Sequence, residues 1–255
     1  MTAHVWTRRQ MLLRGSAAFG GLLLAGCDQL SQSPSFLRVL GSAEHLTYRA
    51  QRLVVGQSLA REFTEAQLSP VFRSNGTSDP NNETYNRLRA NQFADWRLSI
   101  RGMVNRPLEL SLAALRAMQS RTQITRHDCV EGWSAIGKWT GVPLGNILTL
   151  AQLNAEARFI VLYCADELER NDGGYYESID LVDAFHPQTL LAYALNDRPL
   201  AVANGAPLRL RVERQLGYKQ AKYLMRIEAV ASLDDIGRGK GGYWEDRGYE
   251  WYAGI

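Results

Sequence analysis

Arg158-Phe-Ile-Val-Leu-Tyr-Cys164 is the most strand-like stretch of this 255-residue chain. Such an apolar run is typical of a strand that is buried on both faces. Trp96–Arg101 and Tyr223–Val230 alternate apolar and polar side chains, which predicts half-buried strands. Similar patterns predict two more strands and three helices: strands at 123–127 and 208–212, and helices at 42–60, 111–118 and 142–153. Short strands mixed with short helices, without regular βαβ spacing, predict a mixed, β-rich α+β fold.

The first 27 residues have the composition of an export signal. Arg8, Arg9 and Arg14 precede or begin an apolar stretch of small residues that runs from Gly15 to Gly26. A basic start followed by an apolar stretch of this length is typical of a secretory signal. It is shorter than the roughly 20 apolar residues of a membrane-spanning helix. The Arg8-Arg9 pair resembles a twin-arginine signal, a route that exports folded proteins.

Leu24-Ala25-Gly26-Cys27 resembles a bacterial lipoprotein cleavage box. Cys27 would then become a lipidated N-terminus that tethers a periplasmic protein to the inner membrane. Simple cleavage nearby would instead leave a soluble periplasmic protein. Residues 28–45 are rich in Ser, Gln and Pro, which predicts a tether, and residues 46–255 are predicted to form one domain.

The formal net charge of +3 belongs to the export segment. The chain has 29 Lys and Arg against 26 Asp and Glu, and Arg8, Arg9 and Arg14 account for the excess. No acidic residue precedes Asp28. Since the remaining chain is formally neutral, we predict no nucleic-acid partner, and contact with a membrane only through the N-terminal lipid.

Cys129 is the first candidate for chemistry. It follows the predicted strand 123–127 among polar neighbours that include Arg126 and Glu131. These surroundings suit a thiolate nucleophile or a soft-metal ligand, although a free cysteine often packs simply as a small hydrophobe. A disulfide between Cys129 and Cys164 is a further alternative that the sequence leaves open.

Two segments in the C-terminal half combine small residues with cations: Asn204-Gly-Ala-Pro-Leu-Arg209 and Gly217-Tyr-Lys-Gln-Ala-Lys222. Glycine and alanine permit a close approach of the backbone, while Arg209, Lys219 and Lys222 supply donors that suit a phosphate group. The alternative is a solvated basic strand face. The chain has no Walker loop, dinucleotide-binding glycine motif or C-x-x-C pair.

Taken together, these residues resemble the oxidoreductase molybdopterin-binding domain of the sulfite oxidase superfamily, and within it the periplasmic methionine sulfoxide reductases. The resemblance spans about residues 66–230, and its five markers follow the family's order: Cys129-Val-Glu-Gly-Trp-Ser134, Gly141-Val-Pro-Leu144, His186-Pro-Gln-Thr-Leu190, Asn204–Arg209 and Gly217–Lys222. The export signal agrees with it, because a molybdenum cofactor is inserted before folded export.

The resemblance implies a molybdenum-molybdopterin cofactor (Moco) whose metal is ligated by Cys129, with two more sulfurs from the pterin dithiolene. Glu131 matches a carboxylate close to the metal and is a candidate for proton handling. Cys164 falls where related reductases have a threonine, so it would line the pocket or act as a redox-sensitive thiol. The remaining implied cofactor contacts are Arg73, Ser74, Asn75, Asn204, Arg209, Gln220, Ala221 and Lys222.

The implied reaction is reduction of a small-molecule sulfoxide or N-oxide by two-electron oxygen-atom transfer. Electrons would come from a membrane cytochrome or a quinol-linked partner. Sulfite oxidases carry arginines beside the ligating cysteine where this chain has Val130-Glu131-Gly132, which makes sulfite-oxidase-like oxidation the second choice. A cofactor-free envelope-binding lipoprotein and a thiol enzyme using Cys129 are further alternatives.

The C-terminal part of the chain carries two more expectations. Because the sequence stops at Ile255, we expect no C-terminal dimerisation domain of the sulfite oxidase type. The aromatic and charged stretch 242–252 would close over the pocket, dock a partner or, as the preferred alternative, pack across the domain surface.

Overall fold

The computed structural model describes residues 33–168 and 174–255 and divides the chain into two units, 1–56 and 57–255. Helix α1 (Pro34–Val55) is the described element of the first unit. Pro34 stands in its first turn, where the fixed φ of proline and its missing N–H suit a helix start. None of the described helices is both long enough and apolar enough to cross a membrane.

Helix α1 differs from two predictions. It occupies residues 34–45, where a tether was predicted from composition, and it begins at Pro34 rather than at Ser42. The Ser-Pro-Ser sequence at 33–35 suggested a tether. A serine followed by a proline can also begin a helix, and it does so here. The second unit begins at Gln57 rather than at residue 46. The predicted export signal and lipoprotein box, residues 1–27, lie outside the described residues.

The second unit contains two five-stranded sheets. In spatial order, the first sheet consists of β2 (Leu108–Ser111), β1 (Arg97–Gly102), β10 (Leu224–Val230), β5 (Phe159–Cys164) and β6 (Tyr176–Asp180). Strands β1 and β10 run parallel, and the other neighbours are antiparallel. The strand predicted at 158–164 is confirmed as β5 near the centre of this sheet.

The second sheet contains β3 (Arg121–Asp128), β4 (Ser134–Pro143), β7 (Leu190–Leu195) and β8 (Arg198–Pro199), and β9 (Arg209–Arg211) also pairs with β7. Gly141 allows β4 to approach β7 closely. A Cβ atom at this position would lie 2.3 Å from the carbonyl oxygen of Leu191, so any side chain would force the two strands apart.

The described residues of the unit also form four short α-helices: α2 (Glu83–Ala90), α3 (Leu112–Ala117), α4 (Leu144–Ala151) and α5 (Leu181–Ala184). Helix α3 begins where Ser111 caps it, since the Ser111 hydroxyl accepts a hydrogen bond of 3.1 Å from the backbone N–H of Ala114. The main core contains Trp96, Leu98, Ile160 and Ile227, all fully buried. Each such side chain contributes about 1.5–3 kcal/mol on burial.

The predicted mixed, β-rich α+β fold is confirmed, and both sheets have a direct part in the site. Candidate functional residues lie at or next to the ends of β3, β5 and β9. A smaller apolar cluster supports this region, where the buried Trp139 ring meets Phe72 edge-on with 5.0 Å between ring centroids.

Candidate active site

Cys129 is presented by a tight loop between two paired strands. Asp128 at the end of β3 pairs with Ser134 at the start of β4, so residues 129–133 form the hairpin connection. The N–H of Cys129 donates to the carbonyl of Trp133 (2.9 Å), and the N–H of Gly132 donates to the carbonyl of Cys129 (3.0 Å). Gly132 has a φ of 83°, a conformation that favours glycine. The loop therefore holds Cys129 at a fixed place on a rigid sheet.

The Cys129 thiol lines a cleft of about 200 Å³ and is partly buried. Burial raises its pKa, and the charge of Glu131 adds to this effect, while nearby backbone N–H groups and Arg73 act the other way. An activated nucleophile needs a lowered thiol pKa. The surroundings of the free thiol therefore do not favour the cofactor-free thiol enzyme. Cys129 and Cys164 are both free thiols, so the alternative disulfide is not formed.

Arg209, on β9, is fully buried behind this cleft. Its guanidinium donates to the carbonyls of Asn204 (3.1 Å) and Gln220 (3.2 Å). Burial, together with the nearby charge of Arg211, lowers the pKa of Arg209 to about 9. The solvated strand face considered as an alternative is therefore wrong for this strand, because all three residues of β9 are buried.

Lys222 is a second buried cation, and it lies on the wall of the same cleft. Its ammonium donates to the carbonyl oxygens of Thr77 and Ala203 and lies 3.4 Å from the Ser74 hydroxyl. Burial and the positive charge of Arg209 lower the pKa of Lys222 to about 7. Arg209 and Lys222 are thus two buried basic side chains, and together they form a centre of positive potential that an anion would stabilise.

The polar loop that precedes helix α2 brings the N-terminal candidates to this centre. The Ser74 hydroxyl donates to the carbonyl of Ala203 (2.5 Å), and the Asn75 amide lies 3.5 Å from the carbonyl oxygen of Gly217. Arg73 lies over the ring of Trp133, with 5.4 Å from the guanidinium carbon to the ring centroid. The loop thus connects the Cys129 hairpin with the segment that carries Lys222.

Most of the predicted site residues meet in one place. Those that line the cleft are Asn75, Cys129, Glu131, Gln220, Ala221 and Lys222. Ser74, Arg209 and Asn204 stand behind them through the hydrogen bonds given above. Cys164 is not among the lining residues; it is the last residue of β5 and is partly buried, and burial raises its pKa. The assignment of these residues to cofactor contacts stays a prediction.

Four residues of the site were missed by reasoning from the sequence. Asp166 lines the cleft just beyond β5, where burial raises the pKa of its carboxyl to about 6. Its position just after the most apolar strand could have identified Asp166 as a site residue from the sequence. Trp244 and Tyr249 line the cleft from the C-terminal stretch, where surface packing was the preferred expectation.

His127 is the fourth missed residue and lies under the cleft. It is fully buried at the end of β3, and Arg211 Nη1 lies 2.9 Å from its Nδ1 atom. Burial and the charge of Arg211 lower the pKa of His127 well below its ordinary value. A Cβ atom on Gly217 would lie 2.6 Å from His127 Nε2, so this glycine is what lets the two segments touch.

The site has open positions for a phosphate-bearing, metal-holding cofactor. In the described part of the chain, the buried Arg209 Nε and Asn75 Oδ1 atoms have no hydrogen-bond partner. An unpartnered buried polar atom costs free energy unless a further group satisfies it. Burial and the charge of Arg209 lower the pKa of Lys222, and a bound anion would act against both effects. A thiol that can ligate a soft metal and two cations for a phosphate are a donor set that fits such a cofactor.

This fold and donor set are those of a protein that can hold a phosphate-bearing metal cofactor. The family model for the oxidoreductase molybdopterin binding domain matches residues 85–235. The chain therefore belongs to this family, and it is a molybdenum-cofactor-dependent oxidoreductase. The family, the enzyme class and the cofactor predicted from the sequence are confirmed.

Similar proteins extend the comparison beyond the domain. The chain is 36% identical over 249 residues to a putative protein-methionine-sulfoxide reductase subunit YedZ1 of Azospira oryzae, covering 96% of this chain and 87% of that protein. It is 30% identical over 247 residues to the protein-methionine-sulfoxide reductase catalytic subunit MsrP of Xanthomonas campestris pv. campestris, covering 91% of this chain and 72% of that one.

A solved structure supports the fold. The sulfane dehydrogenase SoxCD from Paracoccus pantotrophus matches with a TM-score of 0.50 at 22% sequence identity, covering 55% of this chain and 39% of the other. At this level of identity the likeness concerns the two-sheet fold alone.

Proposed function

We propose that this enzyme reduces a sulfoxide or an N-oxide by two-electron oxygen-atom transfer at a molybdenum that Cys129 ligates. The observation that carries the proposal is the cleft itself, which combines a loop-held cysteine thiol with the buried cations Arg209 and Lys222 behind it. The two relatives named as methionine sulfoxide reductase subunits, similar over more than nine-tenths of this chain, support the reductive direction.

Cys129 would hold the metal at the end of the hairpin. When bound, the molybdenum cofactor supplies a two-electron redox centre that accepts the oxygen atom. Hydrogen bonds to Trp133 and Gly132 fix the Cys129 backbone from which the sulfur extends. A ligand on a strand-to-strand hairpin keeps a more constant position than one on a long loop.

Arg209 and Lys222 would neutralise the anionic end of the cofactor. Arg209 offers an unpartnered Nε–H, and Lys222 can turn from the Thr77 carbonyl toward a phosphate oxygen. Gln220 and Ala221 would bind the cofactor through their backbone. Arg73, Ser74 and Asn75 would contact the cofactor from the opposite side. Asn204 would act by positioning Arg209. Cys164 would be close to the pterin without touching the substrate cleft.

Glu131 would carry protons to the reacting oxygen. Reduction of one sulfoxide consumes two electrons and two protons and releases one water and one thioether. The Glu131 side chain is exposed at the cleft, and its Oε2 accepts a hydrogen bond of 2.9 Å from the Trp133 indole. A carboxylate in contact with both bulk water and the cleft can take up a proton and donate it inward.

The export and tethering of the enzyme complete the proposal. Residues 1–27 would direct the folded, cofactor-loaded protein to the periplasm, with Cys27 as a lipid anchor at the inner membrane. A membrane cytochrome or quinol-linked partner would supply the electrons. The similar proteins from Azospira and Xanthomonas are both named as subunits, which supports a partner protein for this chain.

The test uses protein produced in a host that makes molybdopterin, with protein from a molybdopterin-deficient host as the control. Mass spectrometry should find about one molybdenum per chain in the first preparation. That preparation should oxidise a reduced viologen dye with methyl phenyl sulfoxide or trimethylamine N-oxide, and the control should not. A molybdenum-loaded protein that reduces neither compound, yet oxidises sulfite with ferricyanide, would overturn the proposal in favour of the oxidative direction.

A further inference from the structure

The C-terminal segment, residues 236–255, supplies one side of the cleft although it lies beyond the matched family domain, which ends at residue 235. Trp244 and Tyr249 from this segment line the cleft, with 5.3 Å between their ring centroids and an interplanar angle of 31°. Tyr218, from the segment that also carries Lys222, meets Tyr249 edge-on at 5.2 Å. Three aromatic rings thus form a continuous wall, called here the aromatic wall.

A buried ionic cluster holds this wall in position. Lys219 Nζ lies 2.5 Å from a carboxylate oxygen of Glu177 and 2.5 Å from one of Glu245, and all three side chains are fully buried. Glu245 follows Trp244 directly, so this Lys219 cluster (Lys219, Glu177 and Glu245) fixes the part of the segment that carries the indole. Ion pairs fully removed from water persist only with close geometry.

The far end of the segment is also fixed. The N–H of Leu216 donates to the carbonyl of Ala253 (2.9 Å), and the N–H of Ile255 donates to the carbonyl of Arg214 (3.0 Å). The Tyr218 hydroxyl donates to the carbonyl of Glu250 (2.7 Å). The aromatic wall is therefore attached on both sides, and it is part of the cleft before any substrate arrives.

The chemistry of the wall differs from that of the opposite side. Glu131 and Cys129 line the cleft from the hairpin, whereas the wall presents aromatic rings and is exposed at Tyr249, which keeps 41% of its surface accessible. Aromatic rings bind apolar groups by burial and make favourable contacts with sulfur. Gln220, Ala221 and Lys222, which would hold the cofactor, are buried, whereas Glu131 and Tyr249 are exposed. A substrate whose oxygen points toward the metal from this exposed side would lay the remainder of its structure against the wall.

We propose that Trp244 and Tyr249 form the substrate-binding wall that selects sulfoxides with a large apolar arm. This inference rests on the proposed function, since it assigns the recognition of the sulfoxide that the enzyme reduces. Wild-type enzyme is expected to prefer methyl phenyl sulfoxide to dimethyl sulfoxide. The preference is the ratio of the two kcat/KM values, because both substrates present the same sulfoxide group and differ in the arm.

The experiment measures this ratio in the molybdenum-loaded enzyme and in four variants, of which Tyr249→Ala is expected to lower the ratio. Trp244→Ala is expected to lower the ratio about tenfold, the usual effect of removing one well-packed apolar contact. Trp244→Phe keeps a ring and is expected to retain most of the preference. Ile255→Ala is the control, because Ile255 belongs to the same segment, has an exposed side chain and is absent from the cleft lining.

A binding measurement separates recognition from turnover. The dissociation constant of methyl phenyl sulfone, which keeps the aromatic arm, is measured by calorimetry on each molybdenum-loaded protein. This dissociation constant should rise about tenfold in Trp244→Ala and stay unchanged in Ile255→Ala. Molybdenum content and melting temperature, measured on the same samples, identify any variant that has lost cofactor or fold.

The outcomes distinguish failure of the proposed function from failure of the aromatic wall as the selecting surface. If wild-type enzyme reduces neither sulfoxide, the proposed function itself fails. If wild-type enzyme reduces both, while Trp244→Ala and Tyr249→Ala keep the wild-type ratio and the wild-type affinity for the sulfone, the aromatic wall does not select the substrate and the inference is overturned.

Discussion

Replacing Lys222 by methionine tests the charge balance of the site in the cofactor-free protein. The structure gives the Lys222 ammonium a pKa of about 7 against an ordinary value of 10.5, chiefly because it is buried and also because Arg209 repels it. Asp166 and Cys164 act in the opposite direction but do not offset burial. The folded protein therefore binds fewer protons at Lys222 than the unfolded chain does between about pH 7 and pH 10.5.

The sign and size of the pH dependence follow from this difference. When the unfolded state binds more protons, the free energy of unfolding rises with pH. Each pH unit in the window contributes about 1.4 kcal/mol, so the full shift corresponds to roughly 4 to 5 kcal/mol. The penalty of keeping Lys222 charged is complete below about pH 7 and disappears as the pH rises toward 10.5. Lys222→Met lacks this penalty at every pH.

The assay is urea unfolding of both proteins, purified from a molybdopterin-deficient host, at intervals from pH 6.5 to pH 9.5. The variant is expected to gain most relative to wild type at the lowest pH, and the gain should shrink by about 1.4 kcal/mol per pH unit above pH 7. Groups that do not interact with Lys222 cancel in the difference between the two proteins, whereas Asp166, whose pKa the Lys222 charge lowers, contributes mainly at the acidic end of the range. Two stability curves that run parallel across the whole range would refute the reasoning.

Three further substitutions test other contacts of the site. Arg209→Lys loses the planar guanidinium that donates to the Gln220 carbonyl, so the purified protein should contain substantially less molybdenum. A molybdenum content equal to that of the wild type would contradict the role of the guanidinium. Lys219→Met leaves the two carboxylates of the Lys219 cluster without their cation and should cost about 3–5 kcal/mol in urea unfolding, whereas a loss under about 1 kcal/mol would contradict the structure. Gly217→Ala would place a methyl group 2.6 Å from His127 Nε2 and should lower the stability by about 1–3 kcal/mol in thermal unfolding; an unchanged melting temperature would mean that the two segments do not touch.

The sequence was informative where one local pattern decides the structure. The strand at 158–164 and the alternating strand at 223–230 are found as β5 and β10, because continuous or alternating apolar side chains leave few other ways of burying them. Strand β4 was not predicted, although it lies between β3 and β7. Its glycines, Gly137 and Gly141, weaken a strand signal, yet they are needed for the close approach of neighbouring groups.

The candidate site was predictable as a set of residues but not as an arrangement. Motif order suggested that Cys129 and Lys222 serve one cofactor, and both line the same cleft. Trp244 lines that cleft because tertiary contacts fix its segment, among them the buried ion pair between Lys219 and Glu245. Such a pairing depends on tertiary packing, which no local spacing encodes. Helix α1 was placed too late in the chain because a Ser-Pro-rich stretch suits both a tether and a helix start.

The central claim is that the Cys129 thiolate ligates the molybdenum. X-ray absorption at the molybdenum edge counts the sulfur atoms bound to the metal, and it can be applied to molybdenum-loaded wild-type protein and to Cys129→Ser. We expect three sulfur ligands in the wild type, two from the cofactor and one from Cys129, and two in the variant. The same sulfur count in both proteins would contradict the account.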